Sequence, residues 1–291
     1  MSASKAELLS VPTEIAEQAL VLCHPRDVAS FAQTCRAAQS LVNDTTDQYL
    51  WRQLFLLFPF DDPRKTCQGF RRDIQFDWKT ELQRRVHAEL IARSTRSTSE
   101  ELHVTLITLL DVVRSAPPVF LGCECVLSSN LLWVTDVLAS TNILRLPPVT
   151  HDSTCQTSAR LRSYLALTLD EFDDEEGKLR MKSMRTASRC RVYDLSQYNR
   201  DSDWGPFTKT GEVDWSHVEC LMNVIAFNLM DHSRHFRDIR PPCGLEATRA
   251  YSAPHTTTLA PQDWAGVEGN WRRIVSFMDY RCVTRLRKWN G

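Results

Sequence analysis

Three proline pairs divide the chain into helical stretches of limited length. They stand at Pro117-Pro118, Pro147-Pro148 and Pro241-Pro242. A proline cannot donate a hydrogen bond to a helix ladder and pushes the residue before it out of the helical region, so each pair marks a break. Between the breaks, apolar residues mostly recur at intervals of three and four, which is the period of a helix. The spacing therefore predicts a mainly α fold.

The apolar spacing places individual helices between these breaks. Two longer helices, at residues 77–92 and 99–113, are joined by a polar stretch at 93–98. Ser97-x-x-Glu100 ahead of the second apolar run indicates a capping box, in which a hydroxyl and a carboxylate satisfy free N–H groups. The other predicted helices cover residues 14–22, 27–35, 131–138, 159–169 and 218–230.

The chain changes the sign of its charge around residue 177. Residues 170–176 hold six acidic side chains in seven, and residues 178–191 then hold six basic ones. Acids near the start of a helix and bases toward its end both complement the helix dipole. We therefore expect a solvated helix here, and an interaction patch is the alternative.

The composition argues against several classes of function. The 35 basic and 36 acidic residues give a net charge of −1, which offers no electrostatic attraction to nucleic acid or to a membrane surface. The glycine-rich motifs that cradle nucleotide phosphates do not occur in the sequence, so no such cofactor is expected. The longest apolar runs, at residues 104–113 and 221–230, are too short to span a bilayer.

Ten cysteines are spread irregularly along the chain. The sequence from Met1 onward shows no basic start followed by an apolar run, so no signal peptide is expected. Without a secretory route, the cysteines are expected to be reduced thiols in the cytosol or nucleus. Cys123-x-Cys125 has one intervening residue where redox and zinc pairs favour two, and Glu124 opposes thiolate formation. These two thiols are therefore assigned to the core or to a loop.

Two further pairs, His217-x-x-Cys220 and His232-x-x-His235, carry residue types that bind zinc. A zinc ion holds its ligands within about 2.0–2.3 Å. The apolar run at residues 221–230 between the pairs predicts one buried helix. At a rise of about 1.5 Å per residue, Cys220 and His232 lie roughly 18 Å apart on such a helix. We therefore expect no metal site.

The most specific pattern covers residues 11–54. Val11-Pro12-x-Glu14-Ile15 opens a helix with proline in its first turn and an acid beside the positive end of the helix dipole. Three helices of about ten residues can barely bury a core, so such a unit leaves apolar side chains exposed for a partner. The later elements of the pattern are His24-Pro25-Arg26-Asp27, Val28, Phe31, Cys35-Arg36, Leu41, Leu50-Trp51 and Leu54.

This order and spacing resembles the F-box, which has a proline-x-acid-aliphatic opening, a proline in its first turn, a Cys-Arg pair and a later tryptophan. The resemblance implies a three-helix F-box within residues 1–60. It also implies a Skp-family adaptor as partner and, through the adaptor, a cullin. The adaptor-binding residues that it implies are Pro12, Ile15, Val28, Phe31, Cys35, Leu41 and Trp51.

Two later stretches are similar to segments of a large group of fungal F-box proteins. The first comprises residues 198–207 and 213–219, and the second comprises residues 263–281. In that group the second stretch continues into further β structure. The resemblance implies a helical client-side domain at residues 61–291, truncated at its C-terminus, and leaves room for a short β element at 271–277.

These patterns predict a non-catalytic substrate receptor of a Skp–cullin–F-box ubiquitin ligase, which holds a client near the charged ubiquitin carrier. Ubiquitin transfer would be faster because the client is held close to the carrier, which raises its effective molarity. No catalytic group of the chain is needed for this. One alternative is a helical scaffold whose F-box-like start serves only as core. A more distant alternative is a cysteine-dependent enzyme, which a hyper-reactive thiol would reveal.

Overall fold

The computed structural model describes residues 11–44, 47–66, 69–70, 76–94, 96–117, 127–141, 143, 153–166 and 175–231. The described residues are mainly helical, which confirms the predicted fold class. A two-stranded antiparallel ribbon, β1 (Lys65–Thr66) and β2 (Gly69–Phe70), is a minor addition. The helices are α1 (Thr13–Val21), α2 (Pro25–Ala32), α3 (Arg36–Asn43), α4 (Tyr49–Leu57), α5 (Trp78–Arg93), α6 (Ser99–Arg114), α7 (Ser129–Ala139), α8 (Ser153–Leu165), α9 (Glu175–Val192) and α10 (Trp215–Asp231).

The chain divides into two compact units. Unit 1 comprises Met1–Pro117 and Ser128–Ile143, and unit 2 comprises Pro118–Leu127 and Leu144–Gly291. Unit 1 therefore groups the helices of the predicted F-box with α5–α7. The functional boundary at residue 60 stays a prediction. Within the described residues, every helix is too short or too polar to cross a bilayer.

Four short helices lie in the range where the F-box pattern predicts three. The second helix was predicted to end at Cys35, but α2 ends at Ala32. The Cys35 thiol instead accepts a hydrogen bond from the backbone N–H of Ala38 at 3.4 Å and begins α3. Gln48 has a positive φ of 22°, so α4 starts as a separate helix at Tyr49.

Aromatic rings fill the core of unit 1. Phe55 on α4 is fully buried, and its ring centroid lies 5.1 Å from that of Phe60 and 5.3 Å from that of Trp78. The guanidinium of Arg85 is also buried and lies over the rings of Phe55 and Phe60, at 4.9 and 4.7 Å. Burying a large apolar side chain stabilises a fold by about 1.5–3 kcal/mol, so this cluster ties α4 firmly to α5.

Asp61 starts α7 from a distant part of the chain. Its carboxylate accepts hydrogen bonds from the backbone N–H groups of Ser129 and Asn130, at 2.9 and 3.2 Å, and from the Ser128 hydroxyl. Asn130 in turn accepts from the Asp61 backbone N–H at 3.1 Å and from the Arg85 guanidinium at 3.0 Å. A helix start leaves free N–H groups, and a carboxylate there is also favoured by the helix dipole.

The described part of unit 2 contains helices α8, α9 and α10, with α10 packed on both of the others, and the loop that joins α9 to α10. Asn223 on α10 donates to the buried Ser188 hydroxyl on α9 at 3.2 Å. Helix α9 begins with Glu175 and Glu176 and carries Arg189 and Arg191 in its last turn. The expected helix with acids first and bases last is therefore confirmed over the described residues 175–192.

The capping box of α6 lies one residue later than predicted. Thr98, not Ser97, is the N-cap, and its hydroxyl accepts from the backbone N–H of Glu101 at 3.2 Å. The Glu101 carboxylate accepts from the Thr98 N–H at 2.7 Å, which completes the box. The Ser97 hydroxyl is already used, because it donates to the Ile91 carbonyl at 2.9 Å. The two possible boxes are offset by one residue, so the sequence alone favoured the wrong register.

Helix α8 spans Ser153–Leu165, whereas the spacing predicted residues 159–169. Ala166 has a positive φ of 51°, and this left-handed residue ends the helix earlier than expected. The predicted β element at 271–277 lies outside the described residues, as do Cys123, Cys125, His232 and His235.

Candidate functional site

Helix α1 carries apolar residues on two of its sides. Ala16 and Leu20 are buried, and the helix packs on α3 and α4. Ile15, Ala19 and Leu22 lie on a second side that faces outward, where Ile15 is 53% and Leu22 84% exposed. These three residues recur at i, i+4 and i+7, so they share one face of the helix. Their exposure leaves an apolar stripe, here called the α1 stripe, open to a partner.

The structure separates the seven predicted adaptor-binding residues into surface and core. Pro12, Ile15 and Cys35 are exposed, whereas Phe31 and Leu41 are half-buried. These five residues can take part in a surface formed by α1–α3. The remaining two residues are Val28 and Trp51.

Val28 and Trp51 were predicted to meet the adaptor, but both lie in the core of unit 1. Val28 is fully buried, and Trp51 is 3% exposed. The indole N–H of Trp51 donates to the Val42 carbonyl at 3.0 Å, which fixes α4 against the end of α3. Helices this short need their large apolar side chains to form a core. Val28 and Trp51 therefore lie beneath the surface of α1–α3 and are not part of it.

Glu17 is a buried acid on the inner side of α1 that the sequence pattern did not single out. It is 7% exposed. Burial raises the pKa of the Glu17 carboxyl above its ordinary value, and the nearby charges of Asp47 and Glu14 add to this effect. An acid in the first turns of a helix is usually solvated, so only the fold reveals its burial.

Unit 2 joins the two halves of the predicted motif at residues 198–207 and 213–219. The Tyr198 hydroxyl lies 3.0 Å from Nε2 of His217. Phe207 and Val213 form an isolated antiparallel bridge, and the backbone N–H of Asp214 donates to the Pro206 carbonyl at 2.8 Å. The two halves, which the sequence separates, therefore form one folded segment, made of the loop before α10 and the first turn of α10.

The hydrogen bonds of Tyr198 fix the tautomer of His217. The Tyr198 hydroxyl donates its proton to the Val192 carbonyl at 2.9 Å, so it accepts from His217, whose Nε2 then carries hydrogen. His217 is 3% exposed. Burial lowers the pKa of His217 below its ordinary value, and the charge of Arg191 lowers it further while Asp214 partly opposes this. The imidazole is therefore held neutral, and its hydrogen bond to Tyr198 has a structural role.

Asp214 joins the three α-helices that the structure describes in unit 2. Its carboxylate accepts from Arg191 on α9 at 2.6 Å, from Gln156 on α8 at 3.2 Å and from the His217 N–H at the start of α10 at 3.2 Å. Burial alone would raise the pKa of Asp214, but the Gln156 hydrogen bond and the Arg191 charge outweigh it and lower the pKa. The Gln156 side-chain oxygen also accepts from the Trp215 N–H at 2.7 Å. Sequence reasoning missed Gln156 and Arg191, since nothing in their local pattern indicates these contacts.

Within the part of the chain that the structure describes, no three His, Cys, Asp or Glu side chains are placed to hold a metal ion. His217 and Cys220 lie on α10, a single helix through Asp231. Burial raises the pKa of the Cys220 thiol, which disfavours the reactive thiolate.

The chain matches no protein-family model, curated protein or solved structure. Two exposed surfaces of the described residues bear on its function, namely the α1 stripe in unit 1 and the loop before α10 in unit 2.

Proposed function

We propose that the protein is a non-catalytic F-box subunit of a ubiquitin ligase, acting in the cytosol or nucleus. The surface of α1–α3 binds a Skp-family adaptor, which binds a cullin in turn, and unit 2 binds the client. The observation that carries the proposal is the exposed α1 stripe of Ile15, Ala19 and Leu22, which lies within the region that resembles the F-box. Contiguous exposed apolar side chains mark interaction sites.

The proposed role needs only binding from this chain. A receptor that holds a client lysine beside the charged ubiquitin carrier turns an encounter between two molecules into a step within one complex. The rate then depends on geometry, and the reacting groups come from the carrier and the client. No nucleic acid, membrane or cofactor has a part in this proposal.

Replacing Ile15 with aspartate tests the proposal most directly. In a complex, Ile15→Asp would bury a carboxylate without a partner, at a cost of several kcal/mol. The expected result is a loss of two or more decades in affinity for the adaptor, since about 1.4 kcal/mol corresponds to a factor of ten. Ile15 is 53% exposed in the free chain, so the fold should tolerate the substitution. Co-purification with the Skp-family adaptor measures binding, and circular dichroism measures helix content.

Val104→Asp is a matched control. Val104 lies on α6 in the same unit and is 54% exposed, so the change in chemistry and exposure is nearly the same outside α1–α3. Phe31→Asp, at a half-buried position of α2, should also abolish binding, whereas Arg52→Ala should change little. The proposal is wrong if the unmodified chain does not bind the adaptor, or if Ile15→Asp binds as well as Val104→Asp.

A helical scaffold without a ligase role is the second candidate, and one observation favours it. Phe55 and Phe60 share a core with Trp78 and Trp133, so the helices at residues 13–57 are built into a larger unit. Such helices can exist to complete unit 1 rather than to bind an adaptor. The adaptor experiment separates the two candidates, because a scaffold needs no adaptor.

A further inference from the structure

The loop before α10 displays a tryptophan in an unusual backbone conformation. Trp204 is 70% exposed, although large aromatic side chains are normally shielded. Asp203 and Trp204 both have positive φ values, of 48° and 59°. This left-handed conformation is rare for residues other than glycine and is strained. The surrounding structure must therefore hold both residues in place.

Side-chain hydrogen bonds from Asn199 and Ser202 supply that support. The Asn199 side-chain oxygen accepts from the backbone N–H groups of Asp201 and Ser202, at 2.8 and 3.2 Å, and its amide donates to the Ser196 carbonyl at 2.8 Å. The Ser202 hydroxyl donates to the Gln197 carbonyl at 2.7 Å. The backbone N–H of Trp204 donates to the Asn199 carbonyl at 3.0 Å, so the loop is ordered before any partner arrives.

Gly205 completes the shape of the loop. A Cβ atom at this position would lie 2.9 Å from the ring of Phe207, closer than real Cβ contacts allow. The absence of a side chain lets the Phe207 ring pack against the backbone directly after Trp204. A rigid aromatic residue on a preorganised loop binds with little loss of conformational entropy. Tryptophan is also among the residues that contribute most at protein interfaces.

The open indole of Trp204 differs from other tryptophans of the chain. Lys79 lies over Trp51, Arg64 over Trp78 and Arg160 over Trp215, at 5.7, 5.6 and 4.6 Å from the ring centroids. Among the described residues, no cation lies over Trp204 and no cation pairs with the exposed carboxylate of Asp203 beside it. Residues 194–213 contain four acidic and two basic side chains, so this surface has an excess of negative charge.

We infer that Trp204 and Asp203 bind an arginine side chain of the client. The planar guanidinium can stack on the indole while it donates hydrogen bonds to a carboxylate, and it is less strongly hydrated than the lysine ammonium. The excess of negative charge disfavours an acidic partner. This inference rests on the proposed function, because it assigns the client-binding surface of the same receptor.

The test uses the full chain with isotope-labelled indole groups, whose N–H resonances report on the eight tryptophans separately. The resonance of Trp204 is identified by its loss in Trp204→Ala. The probe is a blocked pentapeptide with a central arginine between glycines, compared with the same peptide carrying lysine or the neutral arginine analogue citrulline. The Trp204 resonance should move progressively with the arginine peptide, less with lysine and not with citrulline.

Asp203→Asn should weaken binding of the arginine peptide about three- to fivefold, in the range of an exposed charge pair. Glu212→Gln removes the same charge from another exposed position of the loop and should leave affinity nearly unchanged. The inference is overturned if the Trp204 resonance stays fixed, if citrulline has the same effect as arginine, or if the two variants weaken binding equally.

The adaptor experiment gives an independent result, since Trp204→Ala should retain the adaptor as well as the unmodified chain does. Peptide binding without adaptor binding would remove the F-box role and keep the arginine site. Adaptor binding without a response at Trp204 would remove the arginine site and keep the F-box role.

Discussion

Each unit depends on a carboxylate at the start of a helix, but the two carboxylates come from different distances along the chain. In unit 2, Asp214 directly precedes α10 and accepts from the N–H of His217, three residues on. In unit 1, Asp61 bonds to the start of α7 across separations of 67 to 69 residues. A capping carboxylate next to its helix can be recognised from the local sequence. A distant carboxylate reaches the helix start only after the chain has folded.

The surroundings of the two carboxylates differ as well. Asn130, a neutral amide, joins Asp61 to the buried guanidinium of Arg85. Asp214 instead bonds to Arg191 directly, at 2.6 Å. Asp61 is therefore one part of an extended network through the core of unit 1. The two units should respond differently when either carboxylate is removed.

Removal of the distant cap should have the larger effect. Asp61→Ala deletes the acceptor for two backbone N–H groups and the Ser128 hydroxyl, and leaves these donors without a partner. Hydrogen bonds to charged groups contribute about 1.5–3 kcal/mol, so unit 1 should lose about 2–3 kcal/mol of its free energy of unfolding. Hydrogen exchange of the α7 amides measures this loss.

Asp136→Ala, on the same helix with a side chain 73% exposed, is the control and should change stability by less than about 0.5 kcal/mol. Equal protection of α7 in the two variants would show that the distant cap contributes nothing.

Removal of the local cap should have a smaller effect. Asp214→Asn keeps the shape of the side chain, and asparagine is itself a good N-cap residue. The variant loses the charge that pairs with Arg191, whose side chain is 39% exposed and can reach water. We expect unit 2 to lose about 1 kcal/mol, seen as weaker hydrogen-exchange protection in α10.

Asp201→Asn, which changes a loop carboxylate with a side chain 69% exposed, should leave α10 unchanged. A loss of protection in α10 as large as the loss that Asp61→Ala causes in α7 would contradict the proposed difference between local and distant caps.

The smallest expected difference concerns pH. The folded-state pKa of His217 is lowered, so the unfolded chain takes up this proton first and unit 2 loses stability as pH falls below 6.5. The folded-state pKa of Glu17 is raised, so the folded chain takes up its proton first. Unit 1 therefore gains stability as pH falls through that raised value toward 4.5.

Hydrogen exchange in α10 and in α1, compared between about pH 7 and pH 5, measures the two trends. His217→Gln should flatten the trend in unit 2, and Glu17→Gln should flatten the trend in unit 1. Parallel trends in the unmodified chain would count against opposite roles for these two groups.

The sequence predicted the features that depend on neighbouring residues. Helices α5 and α6 begin and end within about one residue of their predicted bounds, because their apolar periods are long and polar residues separate them. The stretches at 198–207 and 213–219 were grouped only by their resemblance to a segment of other proteins, and the structure joins them through Tyr198 and His217.

The features that depend on distant contacts could not be predicted in this way. Asp61 and Gln156 are polar residues of types that are usually found on surfaces, yet each bonds to the start of a helix more than 50 residues away. Whether Trp51 faces a partner or the core depends on where α5 packs, and a short helical pattern does not contain that information. The adaptor-binding role of α1–α3 also stays a prediction, which the Ile15→Asp experiment tests.

The long separation between Asp61 and α7 also has a consequence in time. A ribosome adds about 5–20 residues per second. Asn130 is therefore synthesised roughly 4–14 s after Asp61, and the interval between Phe60 and Trp133 is slightly longer. During synthesis, helices α1–α4 exist for seconds without the elements that complete their core. A chaperone or an early-binding partner would meet this incomplete form first.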